Sequence, residues 1–397
     1  MEAALARYGS PLYVYDADVV RATYARFLAA FPYRPLQIHY AIVCNKNRYL
    51  VRLLAGLGAG IHANTPGDAF AALAAGVPAE RIVYSGTNLG ADDLRFLLGR
   101  GIRMNLDSLD QLRDRARLGG PGDRRDVGLR LLIDDEDRPN RIGVAPGELP
   151  EALAIAARAG LAITGLHMYA GTNTRRAGRF VDCLDRLLAA AAALPDLAWI
   201  DVGGGFGLPY GDGEPELPLE TLGWEVSARV ARLAEARGRE IELVIEPGRY
   251  LVGASGSLLV TVVSVKTRGG RRYVGVDSTV GNIVVPSVYH ARHRIEVVGP
   301  KAARPPLELP TDVCGNTTHS RDFLGRNLRL PALEPGDVLR LCDVGAYGYA
   351  MSSHFLNRPR PAEVVLDGGA VHLTTRRETF ADLVATQVDA PSEAEAP

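Results

Sequence analysis

Short apolar runs alternate with Ala- and Leu-rich segments of helical periodicity over about residues 10 to 255. The strand-like runs are 36–43, 81–84, 128–133, 163–167, 199–202 and 241–245. The helix-like segments include 48–57, 66–75, 176–193 and 219–237. This alternation is typical of parallel βα units. Six or more such units in about 245 residues match the size of a (β/α)8 TIM barrel, while a doubly wound open sheet remains the alternative because the local pattern does not separate the two.

After Gly248 the pattern changes to short Val-, Ile- and Leu-rich runs punctuated by Gly, Pro and Asp, which predicts an all-β domain. These runs are 256–266, 272–277, 292–299, 311–314, 338–343 and 362–373. The opening strand-like run, Pro11-Leu-Tyr-Val-Tyr15, is expected to join that domain. We therefore predict an N-terminal strand region at 1–15, a barrel at 16–252, a β domain at 253–387 and a disordered tail at 388–397.

Composition excludes several classes of function. The formal net charge is −1, so no general attraction to nucleic acid or to an anionic membrane is expected. The four cysteines form no CxxC motif, which argues against a zinc ribbon or a disulfide framework, and we expect no metal site. No leader-like N-terminus and no uncharged apolar run of about 18 residues occurs, so we expect a cytoplasmic protein that does not enter a membrane.

Three motifs bear residues suited to binding an anion or a ring nitrogen. They are Asp201-Val-Gly-Gly-Gly-Phe-Gly207, Glu246-Pro-Gly-Arg249 and Cys342-Asp-Val-Gly-Ala-Tyr-Gly-Tyr349. Successive glycines let backbone N–H groups approach a phosphate, and the carboxyl ends of barrel strands carry active sites. Each motif alone also has a structural interpretation, namely a tight turn, a surface ion pair and core packing respectively.

Taken together and in this order, the motifs resemble those of the fold-type III pyridoxal-phosphate (PLP) decarboxylases, which act on diaminopimelate, ornithine, arginine and carrier-protein-bound relatives. The resemblance covers about residues 10 to 385. It is carried further by 11–16, 58–68, 105–108, 141–144, 165–172, 345–353 and 357–361. It implies an alanine-racemase-like barrel with a C-terminal β domain, a PLP cofactor, a small amino-acid-like substrate and a homodimer with shared active sites.

The resemblance also assigns site residues. Gly203, Gly204 and Gly205 correspond to the glycines that hold the PLP phosphate, with help from Arg249 and from Tyr347 of the same or the partner subunit. Glu246 corresponds to the acid that keeps the pyridine nitrogen protonated, so that the ring acts as an electron sink. The substrate is expected near Arg141 and near Asp322, whose segment crosses into the neighbouring subunit.

The chain departs from this family at the lysine that forms the internal aldimine. The family's Tyr-Ala-x-Lys-Ala-Asn is here Tyr40-Ala-Ile-Val-Cys-Asn45, so Val43 stands at the lysine position. Only three of the 45 basic residues are lysines, and Lys46 is the one near this strand. Lys46 has the opposite strand parity to Val43 and would lie about 10 Å further along an extended strand. It is a candidate replacement only if the strand has ended.

Other departures lie around the same place. His62 stands where the family has an acid, and Tyr169 replaces a histidine that stacks on the PLP ring, a role a phenol can also fill. Thr318 replaces a cysteine and is followed by His319. The candidate acid–base or nucleophilic groups are therefore His62, His319 and Cys44, although a lone histidine or a buried thiol is often structural.

Three hypotheses follow. In the first, the protein is an amino-acid or aminoacyl decarboxylase that uses PLP without the usual lysine, with Tyr169, His62 or Lys46 supplying the proton. In the second, it is a catalytically inactive homologue that binds or regulates a partner. In the third, His62 or Cys44 carries out PLP-independent chemistry in the inherited pocket. Glu246 favours PLP as the ligand, because a site for phosphate alone has little use for an acid beneath a pyridine nitrogen.

Overall fold

A computed structural model describes residues 1–388 with gaps at 121, 134–139, 212 and 290. The chain divides into two compact units. The barrel unit contains residues 16–255 together with 345–350, and the sheet unit contains residues 1–15, 256–344 and the chain from 351 onward. Most of the predicted disordered tail, residues 389–397, lies outside the described residues.

Strands and helices alternate as far as residue 255, and strands predominate after it. The strands are β1 (Leu12–Asp16), β2 (Leu36–Ala41), β3 (Gly60–Ala63), β4 (Ile82–Tyr84), β5 (Arg103–Leu106), β6 (Asp126–Arg130), β7 (Ala162–His167), β8 (Trp199–Asp201), β9 (Glu242–Ile245), β10 (Gly256–Arg268), β11 (Arg271–Val276), β12 (Ile295–Val298), β13 (Thr311–Cys314), β14 (Phe323–Leu328), β15 (Val338–Cys342), β16 (Ala362–Asp367) and β17 (Ala370–Thr375). The helices are α1 (Glu2–Tyr8), α2 (Ala17–Ala30), α3 (Arg48–Gly56), α4 (Pro66–Ala74), α5 (Ala91–Leu98), α6 (Leu109–Leu118), α7 (Leu149–Arg158), α8 (Ala177–Ala191), α9 (Leu219–Arg237), α10 (Arg249–Val252) and α11 (Val285–Val288). None of these helices combines the length and the apolar character needed to span a bilayer.

The barrel unit is a closed ring of parallel strands, β2 to β9. Each strand pairs with the next, and the ring closes where β2 pairs with β9 in the register Leu36↔Leu243 and Ile38↔Ile245. Closure decides between the two architectures that the sequence left open. The predicted (β/α)8 barrel is confirmed, and the doubly wound open sheet is excluded.

The helices around the barrel begin and end at the signals expected from their sequences. The side chain of Asn47 caps α3 by accepting a hydrogen bond from the Tyr49 N–H, and Thr65 caps α4 in the same way through the Asp68 N–H. A cap of this kind is worth about 1 kcal/mol. Helix α9 ends at Gly238, which adopts the left-handed conformation that glycine tolerates.

Strand β2 is shorter than the sequence predicted. It ends at Ala41, and Ile42–Cys44 form a 3-10 turn instead of continuing the strand. The turn is held by the barrel unit itself, because the Tyr347 N–H donates to the Cys44 carbonyl at 2.8 Å and the Asn45 side chain donates to the Gly345 carbonyl at 2.9 Å. The return of residues 345–350 to the barrel therefore determines the path of the chain around Val43.

The sheet unit is built on a nine-stranded sheet, which confirms the predicted all-β fold for this part of the chain. Its main path runs β14-β13-β11-β10-β1-β16-β17, with β15 pairing with β10 and β12. The segment predicted as one run at 362–373 is a hairpin, β16–β17, that turns at Gly368 and Gly369, both with positive φ. Strand β14 was missed because Gly, Arg and Asn interrupt its apolar residues.

Packing between α2 and α9 depends on the absence of a side chain at Gly223. A Cβ at this position would lie 2.0 Å from the carbonyl oxygen of Ala30. We expect Gly223→Ala to lower the unfolding free energy by about 1–3 kcal/mol, as overpacking does, and to lower the midpoint of thermal unfolding. Gly56→Ala is the matched control, since a Cβ there meets no atom within 4 Å. An equal loss of stability in both variants would contradict this account of the packing.

Candidate active site

A cavity of about 230 Å³ opens among the carboxyl ends of the barrel strands. All of its lining residues belong to the barrel unit. They are Ala41, Val43, His62, Asn64, Arg130, Ile142, His167, Tyr169, Thr172, Asn173, Gly204, Gly205, Glu246, Gly248, Arg249 and Tyr347. The cavity has an anion-binding end and an end with buried titratable groups.

The anion-binding end is formed by the turn after β8. The turn requires glycine, because Gly203 and Gly205 have φ values of 68° and 94° and a Cβ on either would lie about 2 Å from a backbone oxygen. Within the described chain, the N–H groups of Gly204 and Gly205 donate no hydrogen bond. These open donors line the cavity and suit an anion such as a phosphate.

Arg249 provides a cation at the same end. Its guanidinium lies 4.6 Å from the ring centroid of Tyr347 and donates to the Tyr210 hydroxyl at 2.6 Å. The guanidinium is therefore oriented by two phenols, one of which lies in the returning segment 345–350. Free N–H groups and an oriented arginine at one end of a cavity are the donors that phosphate oxygens prefer.

The opposite end contains Glu246 and two imidazoles. Glu246 follows β9 and is only 2% exposed. Its Oε2 lies 3.2 Å from His167 Nε2 and 3.4 Å from His62 Nε2. Its Oε1 is fully buried and accepts no hydrogen bond from the described residues, although the carboxyl group interacts with Asp201 and Ser85. Because Glu246 lines the cavity, its carboxyl group is suited to pair with a protonated ring nitrogen of a ligand.

Burial controls the charges at this end. It raises the pKa of Glu246 to about 7 and lowers the pKa of His167 to about 4. It also moves the pKa of His62 well below the ordinary value, with further lowering by the neighbouring His167. Asp201 lies below this layer, and burial followed by repulsion from Glu246 raises its pKa. Both imidazoles are therefore neutral near pH 7, while Glu246 titrates there.

Val43, the residue predicted to stand at the family's lysine position, is part of the cavity wall. Val43 is 39% exposed and lines the cavity. Lys46 is exposed and does not line it, and its charge acts on the Asp68 carboxyl. The other two lysines, both among the described residues, belong to the sheet unit. The described residues that line the cavity therefore include no primary amine.

Cys44 is buried behind this wall. Its thiol contacts the Tyr40 hydroxyl at 3.4 Å, and burial raises its pKa to about 12. A thiol with such a pKa stays protonated near pH 7, which does not suit a nucleophile.

The remaining candidate residues are distributed between the two units. Tyr169 lines the cavity and shares a hydrogen bond with Thr172 at 2.9 Å. Arg141 is exposed and does not line the cavity, whereas its neighbour Ile142 does. The other three candidates, Thr318, His319 and Asp322, belong to the sheet unit.

Asp322 is engaged inside its own unit. Its carboxylate accepts hydrogen bonds from the Val280 N–H at 2.7 Å, from the Thr279 hydroxyl at 3.1 Å and from the N–H of Thr317 at 3.0 Å. His319 packs edge-on against Phe355 at 5.3 Å. The substrate-binding role expected for Asp322 stays a prediction.

Sequence reasoning missed Arg130. It is the last residue of β6, lines the cavity and lies 5.4 Å from the Tyr169 ring centroid. The rule that strand ends carry site residues would have found it, but the apolar run was read to residue 133 and placed Arg130 inside a strand.

Comparison with known proteins identifies the family. A sequence profile described as "Pyridoxal-dependent decarboxylase, pyridoxal binding domain" matches residues 17–253. The chain is 34% identical to a diaminopimelate decarboxylase of Methanothermobacter thermautotrophicus, over 96% of this chain and 92% of the relative. It is 33% identical to one of Pseudomonas fluorescens, over 97% and 94%. The chain belongs to the pyridoxal-dependent decarboxylase family. The resemblance drawn from the motifs is therefore confirmed.

Solved structures agree with this assignment. The structure of diaminopimelate decarboxylase from Helicobacter pylori, complexed with L-lysine, is similar with a TM-score of 0.87 and 28% identity, over 97% of this chain and 98% of that one. The enzyme from M. jannaschii gives a TM-score of 0.90 and 25% identity, over 98% and 94%. PLP is the cofactor of this family, and the cavity fits it, since open N–H groups and Arg249 suit the phosphate and the Glu246 carboxyl group suits the ring nitrogen.

We expect Arg249→Met to weaken PLP binding more than tenfold, because a hydrogen bond to a charged group is worth about 1.5–3 kcal/mol. Absorbance titration with PLP measures the affinity. Arg141→Met is the matched control, since Arg141 is exposed outside the cavity, and it should bind PLP as the unmodified chain does. Equal losses in the two variants would remove Arg249 from the phosphate site.

The raised pKa of Glu246 predicts how the stability of the cofactor-free protein depends on pH. Its pKa is higher in the folded state, so folding favours the protonated acid, and that contribution is lost as pH rises from about 4.5 through about 7. We expect Glu246→Gln to raise the thermal midpoint at pH 8, with the gain shrinking as pH falls toward 4.5. Glu240→Gln, at an exposed position, should show no such trend. A constant difference between Glu246→Gln and the unmodified chain at every pH would refute the prediction.

Proposed function

We propose that this chain is a PLP-dependent decarboxylase of an amino acid or aminoacyl derivative that holds its cofactor without a lysine link. The supporting observation is the cavity itself. It combines an anion-binding turn, an oriented arginine and a buried acid in its wall, while Val43 fills the wall where the family's lysine is expected. A site that bound only phosphate would have no use for the buried acid at the opposite end.

Each end of the cavity contributes a separate function. When bound, PLP supplies an electron sink that stabilises the electron pair left on the α-carbon when CO2 departs. Gly204, Gly205 and Arg249 bind the phosphate and anchor the cofactor. Glu246 holds a proton at the ring nitrogen, and the phenol of Tyr169 provides an aromatic surface at the cavity wall. Because Val43 cannot form a covalent bond to PLP, these contacts alone retain the cofactor.

The substrate is proposed only as a class. The relatives are named as diaminopimelate decarboxylases, and we extend decarboxylation of an amino acid to this chain. We do not extend diaminopimelate itself, because the segment around Asp322 that is expected to contact the substrate departs from the family pattern at Thr318. The substrate is then a free amino acid or one attached to a carrier protein. We also propose a homodimer with shared active sites.

The test is PLP titration followed by borohydride reduction and intact-mass analysis. We expect the unmodified chain to bind PLP but to gain no mass on reduction. Val43→Lys places an amine in the cavity wall, so this variant should gain the mass of one phosphopyridoxyl group. Val43→Met is the matched control, because methionine is of similar length but has no amine. The same samples are then screened for decarboxylation of diaminopimelate, ornithine, lysine and arginine.

The outcomes separate the three hypotheses. A covalent adduct on Lys46 of the unmodified chain would contradict cofactor retention without a lysine link. PLP binding without decarboxylation of any amino acid, together with full tolerance of Glu246→Gln, would favour the inactive partner-binding homologue. An activity that needs no PLP and is lost in His62→Ala would favour PLP-independent chemistry.

A further inference from the structure

His62 and Val43 are neighbours in the cavity wall. His62 lies on β3 in register with Ala41, the last residue of β2. Val43 follows Ala41 by two residues in the 3-10 turn, and both side chains line the cavity. Neither residue type is the one that the family resemblance leads us to expect, and the structure brings the two departures together.

The environment of His62 is unusual for a buried polar side chain. His62 is 6% exposed, and neither ring nitrogen has a hydrogen-bond partner in the part of the chain described. Its nearest charged group is Glu246, whose Oε2 lies 3.4 Å from His62 Nε2. A buried side chain without hydrogen bonds is retained at a cost of about 1–3 kcal/mol, which points to a role in the site.

The groups around His62 keep it uncharged. Burial is the main cause of its lowered pKa, and His167 on β7, His39 on β2 and Arg130 on β6 oppose its protonation further. Asp201 at the end of β8 acts on Glu246 and His167 rather than on His62. Among the described residues that line the cavity, Glu246 is therefore the only carboxylate, and the imidazole beside it adds no charge.

A charged residue at position 62 would disturb this balance. A carboxylate there would lie a few ångströms from Glu246 in buried space, and repulsion between the two acids would oppose ionisation of both, offset only in part by Arg130. A cation at position 43 would offset the extra negative charge, but Val43 provides none. The uncharged side chain of Val43 in the cavity wall is therefore compatible with an uncharged side chain at position 62.

We propose that His62 is a positioning residue, a neutral neighbour of Glu246 whose presence is matched to the uncharged side chain at Val43. The pair leaves Glu246 as the single carboxylate that faces the ligand. The inference rests on the proposed function, because PLP is taken as that ligand. His62 affects the charge of the cavity wall and makes no contact with the reacting atoms.

The test is a double-mutant cycle at positions 43 and 62, with the affinity for PLP measured by absorbance at about pH 6 and about pH 8.5. We expect His62→Asp to bind PLP about tenfold more weakly at the higher pH. A tenfold change in affinity corresponds to a shift of about one unit in the pKa of Glu246 caused by the added carboxylate. The loss should largely disappear at the lower pH, where the added acid is protonated. Adding Val43→Arg to His62→Asp should restore binding at both pH values, because a guanidinium at position 43 supplies a cation without the covalent link to PLP that a lysine would form.

His62→Gln is the matched control, because an amide is neutral at every pH. It should bind PLP with the pH profile of the unmodified chain. An equal loss in His62→Gln and His62→Asp would overturn the proposal, since the imidazole itself would then be required. Unchanged binding in His62→Asp at about pH 8.5 would overturn it as well.

Thermal unfolding of the cofactor-free variants separates this inference from the proposed function. His62→Asp should lose stability as pH rises, relative to His62→Gln, and Val43→Arg should remove that trend. If the unmodified chain binds no PLP, the proposed function fails. Thermal unfolding then still tests whether the charge at position 62 must be balanced by the charge at position 43. If His62→Asp does not fold but the double variant does, the result supports the proposal that positions 43 and 62 are matched in charge. If neither of these two variants folds while His62→Gln does, the proposal is overturned.

Discussion

The burial of one carboxyl group, that of Glu246, organises the active end of the barrel. An acid at 2% exposure is costly to ionise, and burial raises its pKa to about 7. The two neutral imidazoles of His62 and His167 lie within 3.4 Å of one of its oxygens, and the carboxyl group also interacts with Asp201 and Ser85. The result is an acid that changes its protonation state near neutral pH and faces a cavity, which suits a ligand with a basic ring nitrogen.

The phosphate-binding end of the cavity depends on the close approach of two backbone segments and not on the burial of a charged group. Gly203 and Gly205 adopt conformations in which a side chain would strike neighbouring carbonyl oxygens. The segment 345–350 then completes the site, because Tyr347 bonds to the turn at Cys44 and lies beside Arg249. The segment 345–350 therefore connects the phosphate-binding end of the cavity to the turn that contains Val43.

The cavity keeps both ends of a cofactor site while its wall has been altered between them. Gly204, Gly205, Arg249 and Glu246 retain the chemistry expected of the pyridoxal-dependent decarboxylase family, but Val43 provides hydrocarbon where the family's covalent link is expected. The neutral His62 beside Glu246 is compatible with that loss of charge. Under the proposed function, binding of PLP and covalent attachment of PLP are separable, because different strands of the barrel supply the residues for each.

The sequence alone determined the βα repeat, the change to an all-β pattern after residue 250 and the family, because periodicity and ungapped motifs are local properties. The assignment of Val43 to the lysine position stays a prediction. The sequence left open whether the sheet closes, since closure is the pairing of β2 with β9 across about 200 residues of chain. It also placed Arg130 inside a strand and continued β2 through Val43. Only the tertiary structure decided where those strands end, that Lys46 lies outside the cavity, and that His62 lies against Glu246, because contacts between distant strands set these positions.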